Sequence, residues 1–487
     1  MQILFYVLAH LLQHVVALVP MPQYMTSGQS VSDASCLYYN NLPFLPCSDD
    51  KRFRKITVTL EQTLEESYSL YIPTLGSISI VASDDLGLKR AFVTLEQLIT
   101  DEKILQTPRF IHDYPTYSHR GLLLDTSRHF IPKKTILTIL HTMSLMKLNI
   151  FHWHIIDSQS FPILSEAIPE LAKGAYSTSK VYSRQDIQDI VSFAKEKGIR
   201  VIPEFDMPGH AYSWGIGIPD ILICPNAQPW SEFCAEPPCG QLDITQDRVY
   251  RIINTFIKEM AEWFPDRVIH LGADEINRKC YMEDEKVKKY LLETNSTFED
   301  LIGRFHDTMQ ANVRKMSKIP MFWEEMILEY PNRPSKDTIV QTWKGLESTL
   351  KAAALGYKVV VSDKDFAYLD CGHGNFVNGG KSWCDPYKTW VQMYLFDPAR
   401  NISNSEIRGN ILGGEAAMWT ELVDEHNIEQ TLFPRLAAFA EALWTAPTDR
   451  NWKGLGSRLD IFRARLIEEG IGSSPIWPSF CSMDDCF

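Results

Sequence analysis

The chain has 487 residues, 45% hydrophobic and 22% charged, the balance of an ordinary globular protein too long for one small core. A formal net charge of −13, unrelieved by any Lys/Arg-rich run, excludes a nucleic-acid-binding surface. Twelve tryptophans and nineteen tyrosines suit a sugar-stacking site, although a large aromatic core would use them equally well.

The start, Ile3 to Val19, is apolar but interrupted by His10, Gln13 and His14, too short and too broken for a transmembrane helix. Residues 1–19 read instead as a secretory signal, with Val15 and Ala17 as small residues before the cleavage point, despite the lack of Lys/Arg near Met1. No stable membrane anchor is expected. Ten cysteines agree with an oxidising compartment, outside the cell or in the lumen of the secretory pathway, vacuole or lysosome. Cys36/Cys47, Cys234/Cys239, Cys371/Cys384 and Cys481/Cys486 are close in sequence and leave Cys224 and Cys280, but spacing does not fix the connectivity. No paired histidines at metal-site spacing accompany them, so no metal is expected. Asn295-Ser-Thr and Asn401-Ile-Ser are glycosylation sequons.

Residues 20–117 read as a small α+β domain with an extended lead-in. The lead-in, to about residue 50, is rich in Pro, Ser, Asn and Tyr. A compact unit follows from Lys55 to Ile99, with alternating strands at 56–60, 68–72 and 78–81. Asp84 or Asp85 caps a helix whose apolar residues Leu88, Phe92, Leu95 and Ile99 share one face. From 118 to 487 the pattern changes to short apolar runs, at 121–125, 148–153, 199–204, 267–271, 319–323, 338–342, 358–362 and 411–415. Helical patterns separate most of them: 133–147, 184–197, 246–264, 298–317 and 345–355. Strands with helical crossovers in this number predict an α/β fold, a parallel (β/α)8 barrel, with a long insertion at 363–410.

Such a barrel keeps its chemistry at the C-terminal ends of its strands. There stand Asp125 and Arg128, His154 and Asp157, Glu204 through His210, Asp274 and Glu275, Trp323-Glu-Glu325, Gln341-Thr-Trp343, and Glu415 with Trp419 and Glu421. The adjacent acids Asp274 and Glu275 are the most informative. Neighbours on a regular strand point to opposite sides, so both serve one site only if the backbone turns there. His152 and His154 read as hydrogen-bonded barrel histidines, and Arg128 as the partner of a barrel carboxylate.

The segments Arg120–His129, His152–Asp157, Pro203–His210, His270–Glu275, Gly413–Glu421 and Pro434–Glu441 resemble those of family-20 glycoside hydrolases, the β-N-acetylhexosaminidases. The insertion, with Ser382-Trp-Cys-Asp-Pro-Tyr-Lys-Thr-Trp390, looks most like secreted fungal members. The resemblance implies a TIM barrel behind a small α+β domain, and an exo-acting enzyme needing no cofactor. It would release terminal GlcNAc or GalNAc from chitooligosaccharides or glycoconjugates with retention. In that scheme the substrate's 2-acetamido oxygen attacks the anomeric carbon to form an oxazolinium, a departure from the two-carboxylate rule. Glu275 is then the general acid and base, and Asp274 holds the acetamide. Asp157 and His210 form a relay to Glu275. Arg120 and Glu421 bind the terminal sugar's hydroxyls, Tyr368 the acetamide oxygen and Asp370 the 4- or 6-hydroxyl. Trp343 and Trp419 wall the acetamide and sugar face, with Trp390 stacking at the outer edge. Dimerisation is common in the family.

Three positions depart from the family pattern. Ala273 replaces the second glycine before the acid pair, which strains the turn if that residue has a positive φ. The third tryptophan of the acetamide pocket is missing, with Phe366 nearest. Ser158 follows Asp157 where a second Asp is frequent. The competing expectation is a glycan-binding homologue whose catalysis is impaired through Ala273.

Overall fold

Runs such as Ile150–Ile156 and Ile411–Met418 are buried along nearly their whole length, as strands covered on both faces must be. A computed structural model describes residues 18–34, 36–40, 42–43, 54–330, 334–479 and 481. In it, His119–Asp125, Ile150–Ile156, Arg200–Phe205, Val268–His270, Ile319–Trp323, Ile339–Thr342, Lys358–Val361 and Ile411–Met418 form a closed barrel of parallel strands in chain order. The last strand pairs back onto the first, Glu415 opposite Gly121. Every expected run is one of these strands.

The crossover helices follow from apolar spacing and capping. In Asp247–Trp263 the buried residues Val249, Ile253, Phe256, Ile257 and Met260 recur three or four apart, so one stripe faces the barrel. Burying each such side chain contributes about 1.5–3 kcal/mol. Capping boxes at Ser183/Asp186 and Thr297/Asp300 start the helices Arg184–Glu196 and Phe298–Lys315.

Before the barrel, an eight-stranded sheet carries the helix Asp85–Gln97, whose cap Asp84 accepts the Gly87 N–H. This unit is larger than its alternation suggested. The polar lead-in supplies an edge strand, Tyr24–Asp33, antiparallel to Lys103–Asp113. Most of that strand is exposed, so no apolar alternation marked it.

The expected leader largely lies outside the described residues, but its last two residues do not. Leu18 and Val19 are buried, with Arg458 Nη1 donating to the Leu18 carbonyl at 2.6 Å and the Val19 N–H to Gln97 Oε1 at 3.0 Å. The fold therefore reaches back to Leu18. The sequence is apolar on both sides of Leu18, so hydropathy could not mark a boundary there.

Arg120 lies at the opposite end of the first barrel strand from the pocket, which corrects its expected place beside the sugar. Its guanidinium meets Glu66 of the sheet unit at 2.8 and 2.9 Å, donates to the carbonyls of Lys147 and Tyr117, and stacks 4.9 Å from the Trp444 ring. Burial would raise the Glu66 carboxyl, but Arg120 and Arg90 hold it down to about 2. This buried pair joins the two units.

Disulfides link Cys224–Cys280, Cys234–Cys239 and Cys371–Cys384. Cys36 and Cys481 are also disulfide-bonded, while Cys47 and Cys486 lie outside the described residues. Asn295 and Asn401 are exposed. No helix among the described residues is long and apolar enough to cross a membrane.

Candidate active site

The strand ends open into a pocket of about 440 Å³, lined by Arg128, His210, Asp274, Glu275, Tyr368 and Trp419 among others. At its centre is the turn that the adjacent acids demand. After Val268–His270 the backbone takes positive φ at Gly272 (+64°), Ala273 (+75°) and Glu275 (+50°). A Cβ on Gly272 would fall 1.7 Å from Asp206 Oδ1, so glycine is required there. The same oxygen accepts the Ala273 N–H at 3.1 Å. The turn sends both carboxylates into one pocket in unequal environments: the Asp274 side chain is 15% exposed, that of Glu275 37%.

Beside Glu275, a chain of hydrogen bonds runs inward. His210 Nε2 is 3.2 Å from Glu275 Oε2, and His210 Nδ1 is 3.1 Å from Asp157 Oδ1. Asp157 Oδ2 also meets His154 Nε2 at 2.9 Å and Arg128 Nη1 at 3.0 Å. Burial would raise Asp157 and lower His210, but their neighbours win. Arg128 and His210 hold Asp157 well below the usual carboxylate range, while Asp157 and Glu275 lift His210 well above an ordinary histidine.

On the opposite side the carboxylates lack such compensation. Burial, then Asp206 and Glu275 against the pull of His210, pushes Asp274 well above the usual range. Burial likewise raises Asp370 to about 7, and lifts Glu421 well above its usual range against the pull of Arg128. Asp274 Oδ1 and Asp370 Oδ1 are buried without a hydrogen-bond partner among the described residues. Buried polar atoms are nearly always paired, so an unpaired oxygen facing a pocket marks where a ligand's donor belongs.

Of the residues expected at the site, Glu275, Asp274, His210, Trp343, Tyr368, Asp370, Trp419 and Glu421 line the pocket, and Asp157 sits behind His210. Two expectations are corrected. Trp390 packs against Trp452 and Trp477, at 6.0 and 6.5 Å, away from the pocket. The aromatic at the mouth is Trp383, 60% exposed and edge-on to Trp343 and Tyr368. Nor is a third tryptophan missing: Trp323, at the end of the fifth strand, lines the pocket, whereas Phe366 packs against Phe396.

Sequence reasoning had placed Arg128 on a barrel carboxylate, and so it is. It pairs with Asp125 and Asp157 and, across the pocket, with Glu236 at 2.6 Å, its guanidinium 5.1 Å from the Trp419 ring. Glu236 and Trp230 were missed. Glu236 lies within the small Cys234–Cys239 loop, whose Cys-Ala-Glu-Pro-Pro-Cys run was the available signal. Glu325 was left without a role; it accepts the Trp343 indole N–H at 3.1 Å, and burial, then Asp274, raises it to about 8. His152 and His154 are spent on Glu415 and Glu204, at 2.8 and 2.7 Å.

Known proteins share this fold. The model of the glycosyl hydrolase family 20 catalytic domain matches residues 117–447. A probable beta-hexosaminidase of Arthroderma benhamiae is 36% identical over 474 residues, 88% of this chain and 77% of that protein. A chitooligosaccharidolytic beta-N-acetylglucosaminidase of Ostrinia furnacalis is 34% identical over 447 residues, 87% of this chain and 75% of that protein. Among solved structures, a chitobiase of Flavobacterium johnsoniae superposes with a TM-score of 0.78 at 27% identity, covering 94% of this chain and 73% of that one. The GH20 exo beta-N-acetylglucosaminidase of Vibrio harveyi in complex with N-acetylglucosamine has the same fold, with a TM-score of 0.82 at 24% identity over 96% of this chain and 79% of that one. Because the family's catalytic domain spans the entire barrel and the relatives match along most of its length, the chain is a glycoside hydrolase and belongs to glycosyl hydrolase family 20.

Proposed function

We propose that the pocket binds one terminal, non-reducing N-acetylhexosamine and that catalysis runs through the substrate's own acetamide, giving retention. The two unpartnered carboxylate oxygens, Asp274 Oδ1 and Asp370 Oδ1, carry this reading. Asp274 receives the acetamide N–H and Asp370 a hydroxyl of the same sugar. Asp274 is buried with its charge poorly compensated. Positive charge growing on the acetamide nitrogen relieves that cost most fully in the transition state, which is where relief accelerates the reaction. The acetamide oxygen attacks the anomeric carbon while Glu275, at the mouth, delivers its proton to the departing oxygen. Glu275 then takes a proton from the water that opens the oxazolinium. His210, anchored by Asp157, orients Glu275 through both steps. Trp323, Trp343 and Trp419 wall the acetamide, and Tyr368 binds its oxygen. Arg128 takes the place beside Glu421, at the sugar's hydroxyls, that the sequence had assigned to Arg120.

Trp230 and the exposed Trp383 also line the pocket and supply aromatic surface for a second sugar, which favours β-linked N-acetylglucosamine oligomers. Incubating the purified enzyme with chitobiose and with an N-glycan ending in GlcNAc tests this. Release of single GlcNAc units from the non-reducing end, faster from chitobiose, is expected; no turnover of either substrate would sink the reading. Export through the secretory route, with carbohydrate on Asn295 and Asn401 and a domain division near residue 117, completes the proposal.

Ala273 bears on the impaired-homologue alternative. Its left-handed backbone costs about 1–2 kcal/mol, against about 0.8 kcal/mol for burying its methyl and about 0.4–1 kcal/mol of unfolded-chain freedom that glycine would restore. These nearly cancel, and the turn is already formed around alanine. Ala273→Gly is therefore expected to move stability by less than about 1 kcal/mol and kcat/KM by less than about threefold (~0.65 kcal/mol). A gain in kcat/KM of about tenfold or more would mean that alanine displaces the acids.

A further inference from the structure

We propose that Asp206 is a positioning residue for the acid pair: it pins the strained turn before Asp274 and supplies the negative charge that Asp274 faces in the free enzyme. The inference rests on the reading of Asp274 as the acetamide-holding carboxylate.

Asp206 immediately follows the third barrel strand and is 1% exposed. Its Oδ1 occupies the concave side of the turn, too close to Gly272 for any side chain there, and accepts the N–H of Ala273. Ala273 has the left-handed backbone that an L-residue keeps only when its surroundings impose it. The hydrogen bond that Ala273 N–H donates to Asp206 is that imposition, and it acts on the residue directly before Asp274. That is close enough to matter, because displacement of a reacting group by about 1 Å can cost on the order of a hundredfold in rate.

The charge argument is separate. Asp206, His210 and Asp274 each bring a ligand-type atom within 4.8 Å of the others. The charged groups facing Asp206 are Glu204 from its own strand, His154 and Asp157 from the second, and His210 from the loop beyond. Asp274 in turn faces Asp206, His210, Glu275, Glu204 and, from the fifth strand end, Glu325. Burial raises Asp206 to about 7 even though His210 and His154 pull it down more than Glu204 and Asp157 push it up, and once ionised its charge opposes ionisation of Asp274. The proton that Asp274 must lose to receive an acetamide N–H is thus held partly by Asp206. Removing that charge lowers the Asp274 pKa, so the acid limb of kcat/KM moves to lower pH. The same removal weakens the negative environment offered to the oxazolinium, so kcat falls.

Wild type, Asp206→Asn, Asp206→Ala and Asp274→Asn are compared on 4-nitrophenyl N-acetyl-β-glucosaminide across pH, with circular dichroism to establish folding. Asp206→Asn keeps an acceptor for Ala273 and loses only the charge. It is expected to fold, to keep KM within about twofold, to lose about tenfold in kcat, and to shift the acid limb downward. Asp206→Ala also loses the hydrogen bond and is expected to fall on the order of a hundredfold in kcat. A pH profile for Asp206→Asn superimposable on wild type overturns the proposal, and that comparison decides alone if Asp206→Ala does not fold. An active Asp274→Asn would instead overturn the reading of Asp274, whereas an inactive Asp274→Asn beside an unshifted Asp206→Asn sinks Asp206 only.

Discussion

Replacing Glu275 by glutamine is expected to lower kcat/KM on chitobiose by about a thousandfold, within the 10²–10⁴ range that a general acid supplies. Glutamine matches the shape and still accepts a hydrogen bond from His210 Nε2, 3.2 Å away in the native pair. What it lacks is a proton acidic enough to transfer. The leaving oxygen of a sugar is strongly basic and cannot depart as an alkoxide, whereas a nitrophenolate departs with little help. The loss on 4-nitrophenyl N-acetyl-β-glucosaminide is therefore expected to shrink to about tenfold or less. Measuring kcat/KM over aryl and alkyl aglycones of increasing basicity checks this, since the variant should fall ever further below wild type. An equal loss across all aglycones would show that Glu275 does something other than protonate the leaving group, because uniform losses report positioning or binding.

The parts of this fold that periodicity encodes were legible, and those fixed by a single long-range contact were not. Barrel strands buried on both faces read as continuous apolar runs, so Ile150–Ile156 and Lys358–Val361 could be found without a partner in view. The edge strand Tyr24–Asp33 reads as polar coil because only its hydrogen bonds to Lys103–Asp113 make it a strand. The same divide runs through the site. Asp274 and Glu275 were found because adjacency at a strand end is itself a signal. Arg120 and Arg128 sit on opposite ends of one strand with its turn, eight positions apart in an uninterrupted family motif, and nothing local says which end opens on the pocket. Trp383 and Trp390 posed the same problem within the insertion, where the Cys371–Cys384 disulfide brings the first of them to the mouth. The positive φ of Ala273 was the decisive unknown of the sequence, and it depends on Asp206, sixty-seven positions earlier.

Arg128 is where one substitution is expected to damage stability and catalysis together. Its side chain is 7% exposed and is the shared cation of Asp125, Asp157 and Glu236. Arg128→Met would take the shared cation from Asp125, Asp157 and Glu236, leaving Asp157 only its two histidines, and breaking such a buried cluster costs about 3–5 kcal/mol. Arg128→Lys keeps the charge but cannot reach Asp157 and Glu236 at once, because an ammonium has no planar fork. With Arg128 gone, Asp157 gains a proton more readily, for that guanidinium is the main group holding it well below the usual range against its burial. His210 then loses its anchor and Glu275 its orientation, so kcat falls; loss of the donor to the sugar's hydroxyls raises KM. A combined fall of about a hundredfold in kcat/KM, or roughly 2.7 kcal/mol, is expected for Arg128→Lys. The control lies at the other end of the strand. Arg120→Met strips Glu66 of a partner in an equally buried pair, so it should lower the thermal midpoint as much as Arg128→Met while its folded fraction keeps the wild-type KM. Midpoints and steady-state constants for the three variants separate the roles. A raised KM in Arg120→Met beside an unchanged KM in Arg128→Lys would return the sugar to Arg120 and leave Arg128 a structural cation.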